Sequence, residues 1–229
     1  MLYLIYKKQF VEMNTYSLKI LMILLLVANI KIRGQINNNL DESFQKLVEF
    51  ISSEEFQKLK QNNSDLALVD SIYLRALSLS EGDISEGLLA ATFATLPFDK
   101  MPIKLPFITK IVDLKLQEID PVLFKKKNNN LPSELFFDTP SYGDKDKLAH
   151  FFGNAFLSYN ISTFNISKIL GIFVELFEES FKVSGGLDFR DLKVNYLGEF
   201  FGKQLNKNPK LLPSEVLSLY ILLHLKIYN

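Results

Sequence analysis

Five polar residues at helical spacing are the groups in this chain best placed to do chemistry: Asp146, Lys147 and His150 in one segment, Asp191 and Asn195 in another. Asp146 and His150 are four apart, and so are Asp191 and Asn195, so each pair shares a face if its segment is helical. Between them, Glu175, Glu178 and Glu179 recur at three and four spacing among Ile169, Ile172, Phe173, Leu176 and Phe177. One imidazole and several carboxylates turned inward in a bundle form a donor set for a divalent metal, with His150, Glu175 and Asp191 as candidate ligands. The same groups suit acid–base work, with a carboxylate orienting His150. The absence of a second histidine in this region disfavours zinc. No serine sits in a nucleophile setting and no glycine-rich phosphate loop follows a strand, so no catalytic residue is assigned and no cofactor beyond a divalent metal is expected. Buried polar groups must be paired, and the leading expectation is therefore that these residues form a hydrogen-bonded network fixing helix register.

Three helices must position them, over about residues 145–159, 167–182 and 188–205, with Ser184-Gly185-Gly186 ending the second and Asp188 capping the third. Gly198 and Gly202, four apart on the third, permit close approach of a neighbouring helix. Pro213-Ser214-Glu215 opens a last apolar helix to Tyr228, in which His224 is a packed or half-exposed residue. Upstream, apolar residues at three and four spacing predict helices over 40–51, 54–62, 64–77 and 83–96. Pro97, Pro102 and Pro106 exclude a helix interior and predict an extended strap over about 97–108, before a helix resumes over 109–119. Lys125 to Asn130 reads as a solvated linker, and residues 131–142 as an entry loop packing Leu135, Phe136 and Phe137. The fold class is an all-α multi-helix bundle: an N-terminal helical region over 36–124, a linker and entry loop over 125–144, and a module over 145–229.

The first residues read as an address. Ile20 to Ile30 is an apolar run between Lys19 and the pair Lys31 and Arg33, the layout of a signal peptide. It is too short for a bilayer core, which needs about 20 helical residues. Met13 is a candidate start and Gly34 a candidate cleavage position, giving a 1–34 signal peptide and a periplasmic or secreted product. The full chain balances 26 basic against 26 acidic residues, and removing 1–34 leaves 21 against 25. Neither balance supplies the positive field that captures phosphates, which excludes a nucleic-acid binder. With no cysteine, disulfides, thiolate metal sites and a lipid-modified N-terminal cysteine are excluded.

The run Asp146-Lys147-Leu148-Ala149-His150-Phe151, the acidic second helix, and Asp191-Leu192-Lys193-Val194-Asn195-Tyr196-Leu197-Gly198 with Gly202 resemble VanZ-like proteins and a related family of uncharacterised periplasmic, YfiM-like lipoproteins. The resemblance covers about residues 144–205. It implies matching roles for Asp146, Lys147, His150, Glu175 or Glu178, Asp191, Asn195, Gly198 and Gly202, and it points to envelope biology without naming a reaction. Two departures stand beside it: no clean apolar span of about 20 residues, and no cysteine for a lipid. The function expected is a non-enzymatic envelope role, binding an envelope partner, a lipid or a cell-wall precursor, with peripheral membrane contact allowed. The competing expectation is a metal-dependent envelope enzyme using His150 and the carboxylates.

Overall fold

A computed structural model describes residues 38–98, 100–104, 111–115, 119–161 and 189–224. The expected signal segment, the expected second module helix with Glu175, Glu178 and Glu179, and Asp188 all lie outside these. Residues 1–41 and 42–229 form two compact units. The described part of the first is only the opening turn of a helix; the second holds all the other described elements.

The described residues bear out the all-α bundle. Eight α-helices are present among them: α1 Asn38–Ser52, α2 Glu54–Asn62, α3 Asp65–Leu79, α4 Ile84–Thr95, α5 Pro121–Asn130, α6 Lys145–Ile161, α7 Phe189–Leu205 and α8 Pro213–Leu217. Their starts are chemically specified. The Ser53 and Ser64 hydroxyls accept from the amides of Phe56 and Ala67, and the Asp83 carboxylate accepts from Glu86. Helices α3, α4, α6 and α7 pack in succession around one aromatic core, with α8 against α3 and α7. In that core Tyr73 stacks on Phe152 and meets Phe201 edge-on, and Phe151 stacks on Phe201 with ring centroids 5.2 Å apart.

Three sequence expectations are corrected. The strap is one strand of a hairpin, β1 Lys100–Lys104, paired antiparallel with β2 Ile111–Lys115 where the sequence predicts a helix. Ile111-Val112 is a β-branched pair that loses rotamer freedom in a helix and fits a pleated strand. Lys125 to Asn130 is not a linker but the body of α5, started by Asp120, whose carboxylate accepts from Val122 and Leu123, with Pro121 in the first turn. Its polar side chains are used inward: the buried Lys127 ammonium donates to the Leu96 carbonyl at 2.5 Å, Asn128 donates to Pro97, and Asn130 to Ile51. The end of α5 is closed by Lys60, whose ammonium donates to the carbonyls of Asn129, Asn130 and Leu131. Finally, among the described residues the C-terminal helix is α-helical over Pro213–Leu217 and continues as a 3-10 helix, Ser218–His224. The tighter winding eclipses residues three apart, which keeps Leu217 and Tyr220 together on the buried side.

Candidate functional site

The site is a seam between α6 and α7, and the glycines create it. A β-carbon on Gly198 would overlap the Phe151 carbonyl oxygen, and one on Gly202 would overlap the Ala155 carbonyl and the Ser158 hydroxyl. Only hydrogen atoms at those positions let the two backbones approach so closely. On α6, His150, Asn154 and Ser158 recur every four residues and line the seam. Ser158 Oγ donates across it to the Glu199 carbonyl at 2.9 Å.

At the N-terminal end of α6 the seam becomes ionic. The Lys147 ammonium lies 2.7 Å from Asp146 Oδ2 and 2.5 Å from Asp191 Oδ1, so a single cation bridges the two carboxylates. Lys147 and Asp191 side chains are 4% and 6% exposed, whereas that of Asp146 is 38% exposed. Burial pushes the Lys147 pKa down, but hydrogen bonds and attraction from Asp146 and Asp191 outweigh it, and the net direction is up. The lysine is held as an ammonium.

His150 sits beside this pair with its orientation fixed by amides. Asn154 Nδ2 donates to the His150 carbonyl at 2.8 Å and to Asn195 Oδ1 at 2.9 Å. Because that Asn195 oxygen is an acceptor, His150 Nδ1, 3.0 Å from it, carries the ring proton. His150 Nε2 is then the lone-pair nitrogen and faces Asp191 Oδ1 at 3.7 Å. Burial lowers the His150 pKa, offset in part by Asp191 and the Asn195 bond and reinforced by Lys147.

This shift carries a stability prediction with a defined sign. The unfolded chain takes up a proton at His150 near pH 6.5, whereas the folded protein resists doing so until lower pH. Stability contributed by the neutral ring is therefore complete above about pH 6.5 and lost as pH falls toward the folded value. Urea midpoints measured from pH 8 to pH 5 are expected to fall more steeply for the wild type than for His150→Gln.

Asp146, Lys147, His150, Asp191 and Asn195 thus converge, while Glu175 and Glu178 lie outside the described residues. One ligand atom from each of Asp146, His150 and Asp191 lies within 4.8 Å of the others, the spacing a metal would need. The space between the two carboxylates is filled by the Lys147 ammonium. A divalent ion bound by both aspartates requires that ammonium to leave, so the donor set fits a metal only in a rearranged cluster. In the arrangement present, the cluster holds α6 and α7 in one register and keeps a neutral imidazole oriented.

Two partners are not anticipated by the sequence reading. Asn154 is signalled by its position four residues after His150 in an otherwise apolar stretch. Arg190 joins Asp144 Oδ1 at 2.6 Å and Asp138 Oδ1 at 3.2 Å, tying the loop before α6 to the start of α7. Asp138 also accepts from the Tyr220 hydroxyl, and burial together with this carboxylate pushes the Tyr220 pKa up to about 12. No residue in the sequence announces that clamp, because its members come from three separated segments. Compared with family models, curated proteins and solved structures, the chain matches none.

Proposed function

We propose that this chain is an exported bacterial envelope protein with a non-enzymatic role, binding an envelope partner, a lipid or a cell-wall precursor on a scaffold locked by the α6–α7 cluster. The observation that carries this reading is the closure of the cluster: Lys147, His150 and Asp191 side chains are at most 6% exposed, and a resident lysine is already paired with both carboxylates. A catalytic centre needs its reacting groups open to substrate, and of the charged and titratable groups here only Asp146 is half-exposed. Export is supported by the basic-flanked apolar run Ile20 to Ile30. The VanZ-like resemblance over residues 144–205 supports the envelope setting. No helix among the described residues is long and apolar enough to cross a membrane.

Expression of the full chain with a C-terminal tag in a bacterium, followed by fractionation and N-terminal sequencing, tests export. The expected product begins near Gln35 and is recovered from the envelope fraction. A cytoplasmic product retaining its first residues would contradict the reading. The competing reading, a metal-dependent envelope enzyme, is favoured by the three converging ligand atoms of Asp146, His150 and Asp191. It requires Lys147 to be displaced on metal binding, a change that stability measurements detect.

A further inference from the structure

Residues 131–144 contain no helix or strand, yet they are held from several directions. The Asp65 carboxylate accepts from the amides of Ser133 and Glu134, both at 2.6 Å, and the amide of Asp144 donates back to the Ser133 carbonyl at 2.8 Å. Arg190 pairs with Asp138 and Asp144, and Phe136 stacks on Tyr220 with centroids 3.8 Å apart. Gly143 turns the chain at a φ of +84°, where a β-carbon would also press on Ser133. Ordered loops of this length in compact domains are usually functional, and fastening one in advance removes the ordering cost from binding.

The loop and the first residue of α6 enclose a half-open pocket of about 450 Å³, whose lining shares no residue with the α6–α7 cluster. Its lining side chains from Ser133, Glu134, Ser141, Tyr142 and Lys145 make no hydrogen bond or ion pair among the described residues. Tyr142 is 79% exposed and Phe137, on the same rim, 65% exposed. Phe137 meets the buried Tyr220 ring edge-on, whereas the exposed Tyr142 ring, beside hydroxyls and one carboxylate, offers a recognition surface: an aromatic face with adaptable polar partners. Glu134 and Lys145 cancel in charge, so no local field selects an anion. The volume is in the range of small-molecule sites and admits one or two sugar rings, whose C–H faces stack on tyrosine while their hydroxyls bond to carboxylate and serine groups.

We propose that this pocket binds a ring of an uncharged glycan, with Tyr142 as the stacking platform and Glu134 as the hydroxyl acceptor. This deepens the envelope-binding reading by naming a ligand class. It is tested with free sugars, so that failure of export and failure of sugar binding are separate results. Saturation-transfer NMR on the full chain uses the trisaccharide of N-acetylglucosamine, maltotriose and the dipeptide Ala-Ala as probes. The expected result is transfer from at least one trisaccharide, with affinity at least about fivefold weaker in Tyr142→Ala, weaker in Glu134→Gln, and unchanged in the surface control Tyr196→Ala. Because Tyr142 is exposed, its variant should keep the wild-type unfolding midpoint. No transfer from either trisaccharide, transfer indifferent to Tyr142→Ala, or binding of the dipeptide alone would overturn the proposal.

Discussion

Lys147→Met is expected to destabilise the protein by about 3–5 kcal/mol, the cost of breaking a buried ion pair from one side. The substitution keeps the aliphatic volume and deletes the ammonium that lies 2.5 Å from Asp191 and 2.7 Å from Asp146. Asp146 can recover by hydration because its side chain is 38% exposed, but Asp191 at 6% cannot. His150 Nε2 also faces this carboxylate, at 3.7 Å, but a neutral imidazole does not replace the charge of the lost ammonium. Neutralising both ends should therefore restore much of the loss. Lys147→Met combined with Asp191→Asn is expected to be more stable than the sum of the single effects predicts, by roughly 1–3 kcal/mol. Urea unfolding of the four proteins gives that coupling, and strict additivity would show that the two groups do not form a unit.

Gly202→Ala and Gly198→Ala are expected to cost about 3 kcal/mol each, the upper end for overpacking a tight contact. In each case the added carbon meets a backbone oxygen, of Ala155 or Phe151, which cannot swing aside as a side chain could, so relief requires the two helices to separate. Separation would stretch the Asn154–Asn195 and Ser158–Glu199 bonds as well. For a chain of this size the loss corresponds to about 6–12 °C in Tm. Gly82→Ala is the informative control. Nothing lies within 4 Å of its added carbon, and its cost is confined to a φ of +89°, about 1 kcal/mol. Thermal unfolding followed by circular dichroism distinguishes the cases, and equal losses at Gly82 and Gly202 would contradict the seam.

The parts of this fold legible in the sequence are those carried by local chemistry. Ser53, Ser64 and Asp83 announce helix starts because a short polar side chain before an apolar periodic run has a specific amide to satisfy. The α6 and α7 polar residues are legible for a similar reason, since four-residue spacing fixes which side chains share a face. What misleads is composition. Lys125 to Asn130 is polar enough to read as a solvated linker, yet Lys127, Asn128 and Asn130 satisfy carbonyls on other elements, information that resides only in tertiary structure. The Asp120-Pro121 start signal is present but outweighed by that polarity. Ile111-Val112 fails differently, since a short apolar run carries no period long enough to separate helix from strand. The bridging position of Lys147 is likewise not a sequence property. The sequence marks the lysine as one of the polar set, but nothing local says that it spans two carboxylates until α7 brings Asp191 against it.

Whether a divalent ion stabilises the full chain is the most direct test of the cluster as a register lock. Unfolding midpoints would be measured in urea after chelation and again with zinc, manganese or magnesium added, for the wild type and for Asp191→Asn. A metal held by the folded state at 100-fold above its Kd would add about 2.7 kcal/mol. With Lys147 as the resident cation, the wild-type midpoint is predicted to be the same with and without each ion. A shift of that size in the wild type, absent in Asp191→Asn, would contradict the register lock and establish the cluster as a metal centre.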